Sequence, residues 1–222
     1  RAAEAGLSTT EESVNAFVTV MNAYSGTGLT AAKVSDQLFE TVKKGRTTFP
    51  ELAHSLGRVA TTAATFGVKT QELLAATSTL TKAGLSTDQA MTALQATILG
   101  FARAGTADAR KAFEDLGIDA SAAGLQANGL EGQLRKLTEA TGGNADALKV
   151  LFPNIRALRG VAILAGKGFR TFERDLGFVE NSIGSTDEAL GKFEGTFSKT
   201  FDLFISQAQA TLVQVGTRSC LT

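Results

Sequence analysis

Residues 190–215 read LGKFEGTFSKTFDLFISQAQATLVQV, and one row of apolar side chains falls at Leu190, Phe193, Phe197, Phe201, Phe204, Ala208, Leu212 and Val215. The intervals 3, 4, 4, 3, 4, 4 and 3 form an eleven-residue repeat. A helix with that repeat keeps its seam parallel to its axis at about 3.67 residues per turn, so it pairs with little supercoiling. Four phenylalanines on one narrow face are costly to leave in water, and Lys192, Glu194, Lys199, Asp202 and Gln209 lie elsewhere on the surface. Two coverings stay open: other copies of the same helix, or the chain's own core. The expectation is the first, a helix that leaves its domain and continues as a rod or bundle.

Upstream of that seam, apolar residues recur with the helical period. Val14, Phe17, Met21 and Tyr24 make one stripe, Val34, Leu38 and Val42 a second, and Leu52, Leu56, Val59, Ala63 and Phe66 a third. Met91, Leu94, Ile98 and Phe101 make another, as do Leu130, Leu134 and Leu137, and then Phe169, Phe172, Leu176, Val179 and Ile183. Pro153 interrupts the row Leu148, Leu151, Ile155, Leu158; the expectation is Pro153 in the first turn of a new helix with Phe152 extended before it. No run alternates with period two, so strands are not expected beyond a short extended piece near Gly124 to Asn128. The reading is all-α: a compact array of short antiparallel helices, then a longer C-terminal amphipathic helix entering a coiled coil. Residues 1–183 form the core domain, 184–216 the oligomerisation helix and 217–222 a tail.

Helix starts are marked by a hydroxyl followed three residues later by Glu or Gln, which lets each residue satisfy a free amide near the other. Ser8 with Glu11, Thr48 with Glu51, Ser86 with Gln89 and Ser185 with Glu188 fit. Glycine plus an apolar residue precedes several of them, as at Gly84-Leu85, a pattern that ends one helix left-handed before the next begins. Ala5-Gly6-Leu7-Ser8-Thr9 recurs as Ala83-Gly84-Leu85-Ser86-Thr87, which reads as one cap solution used twice rather than a duplication.

Composition bounds the function. Hydrophobic residues make up 43% of the 222, and 22 basic residues cancel 22 acidic ones, so the chain reads as folded and soluble with no overall electrostatic pull on nucleic acid. The lone Cys220 excludes an internal disulfide, fits a reducing cytoplasm and carries no chemistry that can be named. No run approaches the roughly 18 apolar residues of a membrane span, and no signal peptide is present. The opening Arg1-Ala2-Ala3-Glu4, without an initiator Met, fits a segment excised from something longer.

No catalytic, cofactor-binding or metal-ligating residue emerges. The single histidine, His54, sits opposite the Leu52, Leu56, Val59 stripe and reads as a surface residue without ligand partners. Gly26-Thr27-Gly28-Leu29-Thr30-Ala31 mimics a dinucleotide fingerprint but follows a helix where a buried strand is required, so it reads as an interhelix turn. Gly160 to Lys167 mimics a phosphate loop but has five residues between Gly160 and Gly166, and Gly168 stands where Ser or Thr is needed. Glu114 and Asp115, and Glu173 and Asp175, read as solvated helix faces beside Lys111 and Arg174. Arg156, Arg159, Lys167, Arg170 and Arg174 form a basic stretch that either touches DNA or anionic lipid or simply solubilises two helices.

Three segments resemble the conserved core of phage tail tape measure proteins. They are Gly84-Leu85-Ser86-Thr87-Asp88-Gln89-Ala90, then Ala109-Arg110-Lys111-Ala112-Phe113-Glu114-Asp115-Leu116-Gly117-Ile118, and, most specific, Leu151-Phe152-Pro153-Asn154-Ile155-Arg156-Ala157-Leu158-Arg159-Gly160-Val161. The similarity runs from about Leu29 to Ile183, with the first thirty residues matching less clearly. It implies a virion protein of the tail tube lumen or tip, made in the host cytoplasm, around which tube subunits polymerise and whose full length sets tail length. It also implies release on genome ejection. The implied partners are its own copies as a homo-oligomer, a trimer, then tail-tube and tail-tip proteins, with membrane or DNA contact during ejection. The implied cofactor content is none, and no catalytic residue carries over. The alternative reading is a membrane-interacting or pore-lining segment aiding DNA delivery, suggested by Val161 to Gly168 beside the basic residues.

Overall fold

The computed structural model describes residues 10–191, with side chains from residue 16, as eleven α-helices without a strand. They are α1 (Thr10–Ala23), α2 (Ala31–Lys44), α3 (Phe49–Ser55), α4 (Gly57–Thr65), α5 (Thr70–Lys82), α6 (Thr87–Ala102), α7 (Ala107–Asp115), α8 (Ala122–Thr141), α9 (Ala145–Leu151), α10 (Ile155–Leu164) and α11 (Phe169–Glu180). The chain turns helical again over 185–191, where the described residues end. One isolated bridge, Arg103 to Ser121, is the only extended pairing among the described residues.

Two helices organise the rest. α5 touches α2, α4, α6, α8, α10 and α11, and α6 touches α3, α4, α5, α8 and α10. The α5 run from Leu73 to Thr81 is buried on every side. Its small residues, Ala75, Ala76 and Ser78, let neighbouring backbones approach, and its hydroxyls find partners in the dry interior. Thr77 donates to the Leu73 carbonyl (2.9 Å), Ser78 to that of Thr41 (3.2 Å) and Thr79 to the Asp175 carboxylate (2.8 Å). A helix buried all round has no stripe, and this one was not among the periodic runs.

The expected stripes otherwise mark the core. Met91, Leu94, Ile98 and Phe101, and Leu130, Leu134 and Leu137, are fully buried. The Leu52 to Phe66 stripe runs through a joint at Leu56, which keeps helical angles (φ −64°, ψ −33°) between α3 and α4. In α1 the buried row is Ala16, Val20 and Tyr24, with Phe17 and Met21 packed at its flank. The Val14 side chain lies outside the described residues.

Several expectations need correction. Gly124 to Asn128 is helical, because Ser121 Oγ accepts the Gly124 amide (3.0 Å) and starts α8 there; the break falls at Gly129, with φ +68° and ψ 179°. Pro153 precedes the cap rather than sitting in the first turn, since the Asn154 side chain accepts the amides of Arg156 and Ala157. That restart resets the helical phase: Phe152 turns inward and Ile155 is 70% exposed. Ile183 lies beyond the end of α11 and is likewise exposed, so it does not extend the Phe169, Phe172, Val179 row. Asp175 is fully buried and paired with Lys82, not part of a solvated face.

The predicted caps Thr48 with Glu51 and Ser86 with Gln89 form reciprocal boxes. Ser8 with Glu11 and the first copy of the Ala-Gly-Leu-Ser-Thr pentapeptide fall outside the described residues. His54 is exposed on α3, Gly26 to Ala31 is the turn between α1 and α2, and Gly160 lies inside α10, away from any strand-to-helix loop.

Candidate functional site

The start of the helix over residues 185–191 is held by one carboxylate. Asp36, on α2, is almost wholly buried, and its two oxygens accept the amides of Gly184 (2.8 Å) and Thr186 (3.0 Å). Ser185, expected as the cap of the terminal helix, donates its hydroxyl to the Asp36 carbonyl instead (3.4 Å). Gly184 adopts φ +82°, which turns the chain away from α11 into the new helix. A negative side chain at a helix N-terminus satisfies free amides and complements the dipole, so α2 holds the start of the last helix in place. Of the terminal seam, Leu190 lies within the described residues and is half-buried; Phe193, Phe197, Phe201, Phe204, Ala208, Leu212 and Val215 lie outside them.

The basic residues divide between two supports. Arg156 and Arg159 are on α10, which rests chiefly on α6; Arg170 and Arg174 are on α11, which rests chiefly on α5; Lys167 is in the turn between them. All five are exposed, and none takes part in an ion pair among the described residues. The apolar run beside them serves the core: Val161, Leu164 and Ala165 are fully buried. Among the described residues no helix is long and apolar enough to cross a membrane.

The three segments that carry the family resemblance converge on α6. The first is its own cap and opening turn. The second, α7, reaches it through Phe113, whose ring centroid lies 6.1 Å from that of Phe101. The third brings Phe152 edge-on to both rings, at 5.1 Å and 5.4 Å. Gly100 admits the Phe152 ring, since a Cβ there would lie 2.7 Å from it. Gly160 admits α10 onto α6, since a Cβ there would lie 2.5 Å from Thr97 Oγ1 and 3.0 Å from the Ala93 carbonyl oxygen. Above this junction lies a groove of about 710 Å³, bordered by Phe66, Gln95, Leu99, Arg103, Pro153 and Arg156.

Sequence reasoning passed over the buried carboxylates. Glu72, at the start of α5, accepts the amides of Lys69 (2.8 Å) and Glu131 (2.9 Å), the second being a free amide exposed where Gly129 breaks α8. Burial raises its pKa above the ordinary range, against the lowering effect of those two hydrogen bonds. Burial chiefly, and then the Glu72 charge, also raise the Tyr24 phenol. A perturbed acid marks a candidate reaction centre, but both Glu72 oxygens are taken by backbone amides, which makes it a positioning group for α8. Among the described residues no three His, Cys, Asp or Glu side chains gather as a metal-holding group. No sequence signal distinguishes Asp36 or Asp175, because their partners are remote in the chain; Glu72 has a local partner in Lys69, but Glu131, the one that makes it a link between helices, is remote.

The chain belongs to the family described as phage-related minor tail protein, which it matches over residues 1–152. That makes it a structural component of a phage tail. The match takes in the first thirty residues and stops at Phe152, so it begins earlier and ends earlier than the expected span of Leu29 to Ile183. No curated protein and no solved structure matches the chain.

Proposed function

We propose that the chain is the helical core of a tape measure protein, which scaffolds polymerisation of tail-tube subunits, sets tail length through its full-length rod and leaves the tube on genome ejection. The observation that carries this reading is the exit at Asp36. A new helix starts there, at the point where the sequence takes up the eleven-residue phenylalanine seam. A helix advances about 1.5 Å per residue, so as one helix the stretch from Thr186 to Val215 would span roughly 45 Å, with a length that scales with residue count. A ruler requires that proportionality and a seam holding its copies in register. The proposed self-association face is Leu190, Phe193, Phe197, Phe201, Phe204, Ala208, Leu212 and Val215, in a trimer that meets tube and tip subunits.

Light scattering of the 222-residue chain, alone and with Phe197→Asp plus Phe201→Asp, tests the assembly half. The reading expects an oligomer that falls to monomer on substitution; a monomer in both cases overturns it. Inserting 33 further residues of the repeat in the phage tests the ruler half. Tails should lengthen by about 50 Å at 1.5 Å per residue, and tails of unchanged length count against measurement.

A further inference from the structure

We infer that the groove over α6, between Phe66 and the turn from Phe152 to Arg156, receives a segment of another protein that presents a carboxylate beside an apolar side chain. This stands on the groove alone and does not depend on the tape measure reading. Its volume, about 710 Å³, holds a few side chains rather than a solvent molecule or two. Its apolar surface is open to solvent at Leu99, which is 45% exposed.

The charges around it are one-sided. Arg103 and Arg156 are both exposed on the lining, and no acidic residue contributes to it. Neither guanidinium takes part in an ion pair among the described residues, whereas Arg58 pairs with Asp88 and Arg135 with Glu131 and Glu173. The remaining polar walls are already engaged, the Gln95 amide donating to the Arg58 carbonyl (2.8 Å) and Thr62 Oγ1 (3.1 Å) and Thr92 donating to the Asp88 carbonyl. The two guanidinium groups are thus the charged donors beside an apolar floor, with the Asn154 amide Nδ2 next to them, and a guanidinium fork matches a carboxylate.

The groove is also preformed. The Phe101, Phe113 and Phe152 rings brace its base, and the Asn154 cap fixes the turn that carries Pro153 and Arg156. A rigid receptor loses little entropy when it binds. The exposed half of the motif from Leu151 to Val161, which core packing leaves without a task, thereby acquires one.

The test is a displayed library of random twelve-residue peptides selected against the 222-residue chain, followed by anisotropy titration and amide chemical-shift mapping of the enriched sequences. The expected result is Asp or Glu next to Leu, Ile or Phe, with shifts centred on Leu99, Arg103 and Arg156. Affinity should fall about tenfold or more in Arg103→Glu plus Arg156→Glu, while the melting temperature is unchanged because both side chains are exposed. Leu99→Asp should abolish binding by the same peptides. Enrichment of basic or purely apolar sequences, or binding that survives charge reversal, overturns the inference. So does binding of phosphatidylglycerol vesicles through the same arginines without any selected peptide, which would make the surface a lipid contact.

Discussion

Glu72 and Asp36 perform the same act in two different settings. Each extends a carboxylate from one helix to a free backbone amide of another: Glu72 accepts the Glu131 amide, 59 residues on, besides that of Lys69 at the start of its own helix, and Asp36 accepts those of Gly184, 148 residues on, and Thr186. Glu72 does so inside the core, where α5, the centre of the array, meets the kink of α8. Asp36 does so at the edge, where α2 meets the outgoing helix. The first cap is surrounded by packed neighbours and its loss must be felt by the whole domain. The second holds the start of the helix over residues 185–191, at the end of the described chain, so its loss should be felt chiefly there.

The largest expected effect tests the interior cap through its glycine. A Cβ at Gly129 would lie 2.5 Å from Glu72 Oε1, and the backbone there has φ +68°. Gly129→Val should destabilise the domain by about 4 kcal/mol, combining left-handed strain with displacement of a buried acceptor. Denaturant unfolding reads it directly, and a loss under about 1 kcal/mol would mean that α8 can straighten or shift at no great cost.

Glu72→Gln sharpens the same point. The amide keeps one acceptor but faces the other backbone N–H with a donor, so about 2 kcal/mol should be lost. The pH dependence has a definite sign. Because burial raises the folded-state pKa of Glu72 above the ordinary value of 4.5, the folded chain binds the proton more tightly than the unfolded chain. The contribution of this group therefore favours folding at low pH and is lost as pH rises from that value through the raised one. Melting of the parent minus that of Glu72→Gln should shrink across that interval as pH rises; a difference that grows would mean that the two amide hydrogen bonds outweigh burial.

These caps also separate what a single sequence can reveal from what it cannot. Stripes and local boxes are determined within a few residues, so Met91, Leu94, Ile98 and Phe101 mark one buried face and Thr48 with Glu51 marks one start. Pro153 was legible as a boundary, but the phase it resets was not, which put Ile155 on the wrong side. α5 escaped notice because a helix enclosed on all sides has no amphipathic period. Asp36 and Glu72 look like ordinary surface acids until a helix more than fifty residues away is folded against them. The groove is of the same kind: the Phe152 to Arg156 turn could be singled out as distinctive, yet its apolar floor is supplied by α6 and by Phe66, remote in the chain.

Asp36→Ala should give the smallest global effect and the sharpest local one. Removing a capping carboxylate typically costs 1 to 2 kcal/mol, and here the cost falls on the segment around Gly184 and Thr186. Hydrogen exchange at those two amides should accelerate about tenfold, the equivalent of roughly 1.4 kcal/mol, while the amides of Leu73 and Leu80 in α5 keep their protection. The contrast is the point of the experiment. If α5 loses protection along with that segment, the helix starting at Ser185 is an integral part of the core, and the proposed division between a compact domain and a rod gives way. If only Gly184 and Thr186 respond, one side chain on α2 governs how firmly the helix that starts there is seated, independently of the fold that carries it.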